Sequence, residues 1–208
     1  MKNNQSGRSM VEMLGVLAII GVLSAGGLAG YSKAMFKHKL NSTMDQITML
    51  VTNIRTMYGT QGNYDGLSNQ TAVNLGIVPA VMGTTATLTN PFKGEVYIQM
   101  STADGDDILA NNESAHATAF VLTYRNLPKE ACIALATADF GSGAGSGFIG
   151  TKAFGNSGTA GTAPAKTTSA AELTVGTATE GDALAMAGNT GAITVCSSED
   201  NAVSWKFY

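Results

Sequence analysis

Charge is scarce in this chain. Only 13% of its 208 residues are Asp, Glu, Lys or Arg, against roughly a quarter in an average soluble domain. The formal net charge is -3, and no run of Lys and Arg interleaves with aromatic residues. The electrostatic footprint of a DNA- or RNA-binding surface is therefore missing. Histidine is confined to His38 and His116, which are isolated from each other and from ligand-type neighbours, so neither a metal site nor a Ser-His-Asp arrangement is legible. "GSGAGSG" (141–147) is compositional, since no strand leads into it and no Lys and helix follow, as a phosphate cradle would need. "DGDD" (104–107), with Asn111, Asn112 and Glu113 beyond it, offers oxygen ligands without EF-hand spacing and reads as a solvated loop. We expect no catalytic residue, no cofactor and no metal. Cysteine occurs twice, at Cys132 and Cys196, without CxxC spacing. That suits one long-range disulfide if the chain is exported, and two buried thiols otherwise.

What the chain does have is one long apolar run. Residues 10–28 carry a single charge, Glu12, and as a helix they would extend roughly 28 Å, close to the thickness of a bilayer core. The small residues Ser24-Ala25-Gly26-Gly27 could be read as the cleavage site of an ordinary secretory signal. The sequence beyond them argues against it. Phe36, Leu40, Met44, Ile47, Val51, Ile54 and Tyr58 continue an apolar stripe at helical spacing. Lys33, Lys37, Lys39, Asn41, Asp45, Asn53 and Arg55 fill the other faces, and Gly59 and Gly62 stop the pattern. Residues 9–58 thus read as one helix of about 75 Å, lipid-soluble first and amphipathic later. A cleavable signal has no need to be continuous with a helix of the mature domain.

Beyond Gly59 the pattern breaks into short elements. "SNQTAVNLG" (68–76) predicts a helix with Ser68 as its N-cap and Gly76 just past its end. "GEVYIQM" (94–100) and "AFVLTYR" (119–125) predict strands, and "LPKEACIALATAD" (127–139) a second short helix entered at Pro128. Residues 141–191, rich in Gly, Ala, Thr and Ser, read as a disordered tract or as a long surface excursion with short strands such as "ELTV" (172–175). "AITVCSS" (192–198) and "AVSWKFY" (202–208) predict a closing hairpin. The triplets at Asn41, Asn69 and Asn112 match the glycosylation pattern and read as chance.

A charged group inside a membrane helix is rare and usually paired, which makes Glu12 a functional candidate. The plain alternative is a first-turn acid that complements the helix dipole and pairs with Arg8. The order polar leader, Gly7, four residues, Glu12, apolar helix resembles the class III signal of type IV pilins and pseudopilins. The resemblance is specific over 7–30 and supported over 31–58 by the amphipathic helix. It implies that a membrane prepilin peptidase cuts between Gly7 and Arg8 on the cytoplasmic face and methylates the new amine of Arg8. Glu12 is then residue five of the mature chain. Arg8 departs from the family, which usually has Phe or Met there. Cleavage would leave an α-amino cation one turn before Glu12, so that the amine of an incoming subunit could neutralise Glu12 of one already placed.

Looser features resemble the class B (type IVb) pilins: the length, an aromatic last strand in "AVSWKFY", and a C-terminal disulfide loop, here Cys132 to Cys196. In the chain-entropy model such a staple contributes about 4 kcal/mol. Gly15, Gly21, Gly26, Gly27 and Gly30 are costly in one helix, at roughly 0.5–1 kcal/mol each against Ala. They read equally as close-packing positions and as a weak point that stretches on assembly.

The expected fold is α+β: a long N-terminal transmembrane and amphipathic helix packed on an antiparallel sheet, with the disulfide-bounded region at one sheet edge. The expected parts are a leader at 1–7, a transmembrane assembly helix at 8–30, the amphipathic half at 31–58, and a globular head at 59–208 containing the bounded region 132–196. The expected function is a structural pilin polymerised into a type IV pilus, with adhesion, aggregation or motility as properties of the filament. A minor pilin or type II secretion pseudopilin is the near alternative, and a membrane-anchored periplasmic enzyme or sensor the distant one. The expected partners are further copies of the chain in a helical filament, the peptidase, the inner-membrane assembly machinery and the membrane, with no nucleic acid. The chain would begin as a single-pass inner-membrane precursor and end in an extracellular pilus.

Overall fold

The computed structural model describes residues 8–103, 116–141, 146–155, 161–164, 186 and 191–208. The first element is α1, Arg8–Tyr58, an unbroken helix of 51 residues. It is followed by α2 (Asn69–Asn74), β1 (Leu88–Thr89), β2 (Glu95–Ser101), β3 (Ala119–Leu127), α3 (Lys129–Ala136), β4 (Phe148–Gly155), α4 (Ala192–Val195) and β5 (Asn201–Phe207) in chain order. The chain divides into two compact units, residues 1–41 and 42–208.

In the second unit five strands form one antiparallel sheet in the order β1-β2-β3-β5-β4. β5 lies between β3 and β4, and all seven of its residues are buried. Aromatic rings tile one face of the sheet. Tyr58 meets Tyr64, Tyr64 meets Phe120, and Phe120 stacks on Phe207 at 5.5 Å between centroids, with Phe148 beside it. Against this face the second half of α1 buries Ile47, Leu50, Val51, Ile54 and Tyr58. Those five repeat at the spacing that one helix stripe needs. Leu50 joins the expected stripe, and so do two polar residues, Thr43 and Gln46.

The N-cap at Ser68 is as expected: its hydroxyl accepts from the Thr71 N–H, and Gly76 follows at φ +69°. α3 begins after Pro128 and carries Cys132, whose disulfide to Cys196 spans 5.8 Å between Cα atoms. The free-thiol alternative is set aside by this bond.

Two expectations fail. The segment 192–198 is not a strand: Ala192–Val195 forms α4, closed by Val195 N–H and Cys196 N–H donating to the Gly191 and Ala192 carbonyls. The reason is competition. Both edges of β5 are occupied, by β3 and β4, and the chain before it must turn Cys196 toward Cys132 on α3. The second failure is the source of that partner strand. β4 comes from the stretch read as a disordered tract or as a surface excursion with short strands, which fits the second of these readings, and it places the disulfide-bounded region at the sheet edge as anticipated. The strand expected at 172–175 and the acidic loop at 104–107 lie outside the described residues.

Candidate assembly interface

Two places hold the features that matter: the first unit's helix surface and the joint between helix and sheet in the second unit. In the first unit the described side chains from Met10 to Ala34 are all exposed. Met10, Val11, Leu14, Leu17, Ile19, Val22 and Leu23 each leave 60% or more of their surface uncovered. Such a contiguous apolar surface marks a membrane or protein interaction site, and α1 is the one helix among the described residues long and apolar enough to cross a bilayer. Glu12 lies within it, one turn after Arg8 and exposed. The helix passes through Gly15, Gly21, Gly26, Gly27 and Gly30 without a break, and a Cβ at any of them would meet nothing within 4 Å. No contact among the described residues therefore requires glycine there.

In the second unit Arg55 is the joint. Its Nη1 donates to the Ser146 carbonyl at 3.0 Å, and its Nη2 donates to the Gly147 carbonyl at 2.7 Å and the Tyr208 carbonyl at 3.0 Å. The guanidinium also lies over the Phe207 ring, 5.5 Å from its centroid. One side chain thus ties α1 to one end of the β4–β5 pair, where the start of β4 meets the end of β5. Gly147 is required here: at φ +72° a Cβ would run into Arg55 Nη2 and the Tyr208 carbonyl. Asn53 adds a bond to the Ile77 carbonyl at 2.8 Å. Both residues lie on helix faces other than the apolar stripe, as expected, and both are half-buried.

A second polar group lies at β2. The Glu95 carboxylate accepts from Tyr97 Oη at 2.7 Å and from the Gly161 N–H at 2.8 and 2.9 Å, while Arg125 covers the Tyr97 ring at 4.9 Å. Burial, and then the hydrogen bond to Glu95, push the Tyr97 phenol up to about 12. Asp65 accepts from the Ala117 N–H at 2.7 Å and meets His116 Nδ1 at 2.6 Å. The Ala117 amide first, then the histidine, hold its carboxyl below the ordinary range. His116 is thus not isolated, contrary to its reading from sequence. No group of three potential metal ligands occurs among the described residues.

The Bundlin family model matches residues 33–189. The chain belongs to the Bundlin family. Two curated relatives, each the major structural subunit of bundle-forming pilus, come from Escherichia coli O127:H6 (strain E2348/69 / EPEC) and Escherichia coli O111:H-. Each is 29% identical over 145 residues, which make up 69% of this chain and 69% of the relative. Among solved structures, the type IV pilin TcpA from Vibrio cholerae El Tor biotype matches with a TM-score of 0.47 at 19% identity, covering 82% of this chain and 99% of that one. The type IVb pilin from Salmonella typhi matches with a TM-score of 0.42 at 19% identity, covering 79% and 97%.

For a Bundlin-family chain the expected site residues fall out as follows. Cys132 and Cys196 are joined. Glu12 lies on the exposed apolar helix, Arg8 begins that helix, and Gly7 lies outside the described residues. Arg55 was missed, and the only signal for it was an arginine at the helix end opposite an aromatic last strand. Asn69, read as a chance glycosylation triplet, bonds the edge of β2 instead: its Nδ2 donates to the Val96 carbonyl and its Oδ1 accepts from the Ile98 N–H.

Proposed function

We propose that the chain is a prepilin, cut between Gly7 and Arg8 by a membrane prepilin peptidase, methylated at the Arg8 amine, and polymerised as a structural subunit of a type IV pilus. The single observation that carries this reading is the bare apolar helix with one carboxylate in its opening turns, in a chain of the Bundlin family. The curated relatives are major structural subunits of a pilus, which supports the same role here.

In this reading residues 1–7 are the leader, 8–30 the transmembrane and assembly helix, 31–58 the amphipathic half, and 59–208 the head. The helix holds the precursor in the inner membrane until the assembly machinery extracts it. Glu12 then meets the amine of a neighbouring copy as the helices bundle, which fixes axial register while the apolar faces close. The glycines, which no described contact requires, are positions where helices of different copies approach. The subunit performs no catalysis of its own.

The N-terminus of the mature chain tests the processing step. Peptide mass analysis of membrane-extracted protein is expected to find a terminus at Arg8 carrying one extra methyl group. An intact Met1 terminus would instead describe an uncleaved tethered domain.

A further inference from the structure

Three lysines follow the apolar run closely. Residues 13–32 contain no charge at all, and as a helix they extend about 30 Å, the thickness of a bilayer hydrocarbon core. Lys33 is the first charge past that length. Lys37 comes one turn further, about 6 Å along the axis, within the headgroup layer that flanks the core on each side. Lys33, Lys37 and His38 are exposed, while Lys39 is half-buried and already engaged. Tyr31, 64% exposed, lies just inside the boundary, where amphipathic aromatic rings collect.

The local charge is as one-sided as the chain allows. No Asp or Glu occurs between Glu12 and Asp45, although the chain as a whole carries -3. Lys33 and Lys37 are four residues apart and share one row of the helix surface. With the head on the exported side, as in the proposed precursor, this collar faces the exported leaflet, where lysine is not favoured as a signal for membrane orientation. Its position calls for a partner in the headgroup layer itself.

We infer that Lys33 and Lys37 bind the phosphate of an anionic phospholipid in the leaflet on the head's side. The collar sets how deep the anchor helix sits and holds the precursor at that depth until it is extracted. This rests on the membrane-held precursor of the proposed function, but not on the cleavage or on filament formation.

The test uses the full chain reconstituted in vesicles of phosphatidylcholine, with and without about 30 mol% phosphatidylglycerol. A membrane-impermeant amine-acylating reagent is applied, and labelling is read by peptide mass spectrometry, with exposed Lys129 in the head as reference. Phosphatidylglycerol is expected to slow labelling of Lys33 and Lys37 about fivefold relative to Lys129. The protection should disappear at about 0.5 M salt, where screening shortens to a few ångströms. Mild-detergent extracts of the wild type should retain phosphatidylglycerol over phosphatidylcholine, and extracts of Lys33→Gln/Lys37→Gln should not. Equal labelling in the two vesicles overturns the inference. So does equal protection by inorganic phosphate added to phosphatidylcholine vesicles, which would mean a free-anion site. Protection that follows the protein-to-lipid ratio rather than the lipid headgroup would assign the lysines to a second copy of the chain, and also overturns it. None of these outcomes moves the N-terminus of the mature protein, so the prepilin reading stands or falls separately.

Discussion

At the residue scale, two side chains make quantitative expectations. Arg55 supplies three hydrogen bonds and a ring contact from a single guanidinium, and net hydrogen bonds from a charged donor contribute about 1.5–3 kcal/mol. Arg55→Ala is expected to lower head stability by about 2 kcal/mol, read as the denaturant midpoint of Trp205 fluorescence in mild detergent. Arg55→Lys should recover only part of that, because an ammonium cannot span three carbonyls held in a fork. Tyr97 gives a pH expectation. Its phenol is pushed up to about 12, above the unfolded value near 10, so the stabilisation it contributes is complete below about pH 10 and is lost as pH rises through 12. Ultraviolet titration should find one tyrosine ionising near that pH, and Glu95→Gln should move it back down, since the carboxylate hydrogen bond is the second cause of the shift after burial.

At the element scale, what was legible followed from local chemistry. The helix to Tyr58 was readable because its apolar residues repeat at helical spacing and two glycines end them. α2 was readable because a serine cap and a left-handed glycine bracket it. β2, β3 and β5 were readable from their β-branched and aromatic content. α4 was misread because "AITV" suits a strand as well as a turn of helix, and the decision lies with distant residues. β4 already holds the free edge of β5, and Cys196 must reach Cys132. β4 itself was hidden by its two glycines and its flanks of small polar residues. The partners of Asp65, Arg55 and Asn69 lie far along the chain, so no local pattern exposes them. Because the disulfide encloses both misread elements, it is the element-scale lever. Cys132→Ala/Cys196→Ala is expected to destabilise the head by about 4 kcal/mol through the freed unfolded chain. The loss should appear first as faster amide exchange in β4 and α4, with β2 and β3 less affected.

At the scale of the whole molecule, the division of labour is plain. The second unit builds a core of its own: the sheet, the second half of α1 and the ring cluster bury one another, and Arg55 and a disulfide fasten the last strand. The first unit, from Met10 to Ala34, leaves its side chains exposed. Its helix presents leucine, isoleucine, valine and methionine on every side, with glycines where an added Cβ would meet nothing among the described residues. Such a surface is stable in lipid or against copies of itself, and a precursor that passes from one to the other uses both. The Bundlin family match, covering residues 33–189, says nothing of Glu12, so the assembly role of that carboxylate rests on its place in the helix and needs its own test. The most direct is the yield of shearable surface fibre from cells expressing Glu12→Ala or Glu12→Val at wild-type membrane levels. The account predicts that the variants accumulate in the membrane, still cut after Gly7, with fibre lost. Fibre at the wild-type yield from either variant would contradict it.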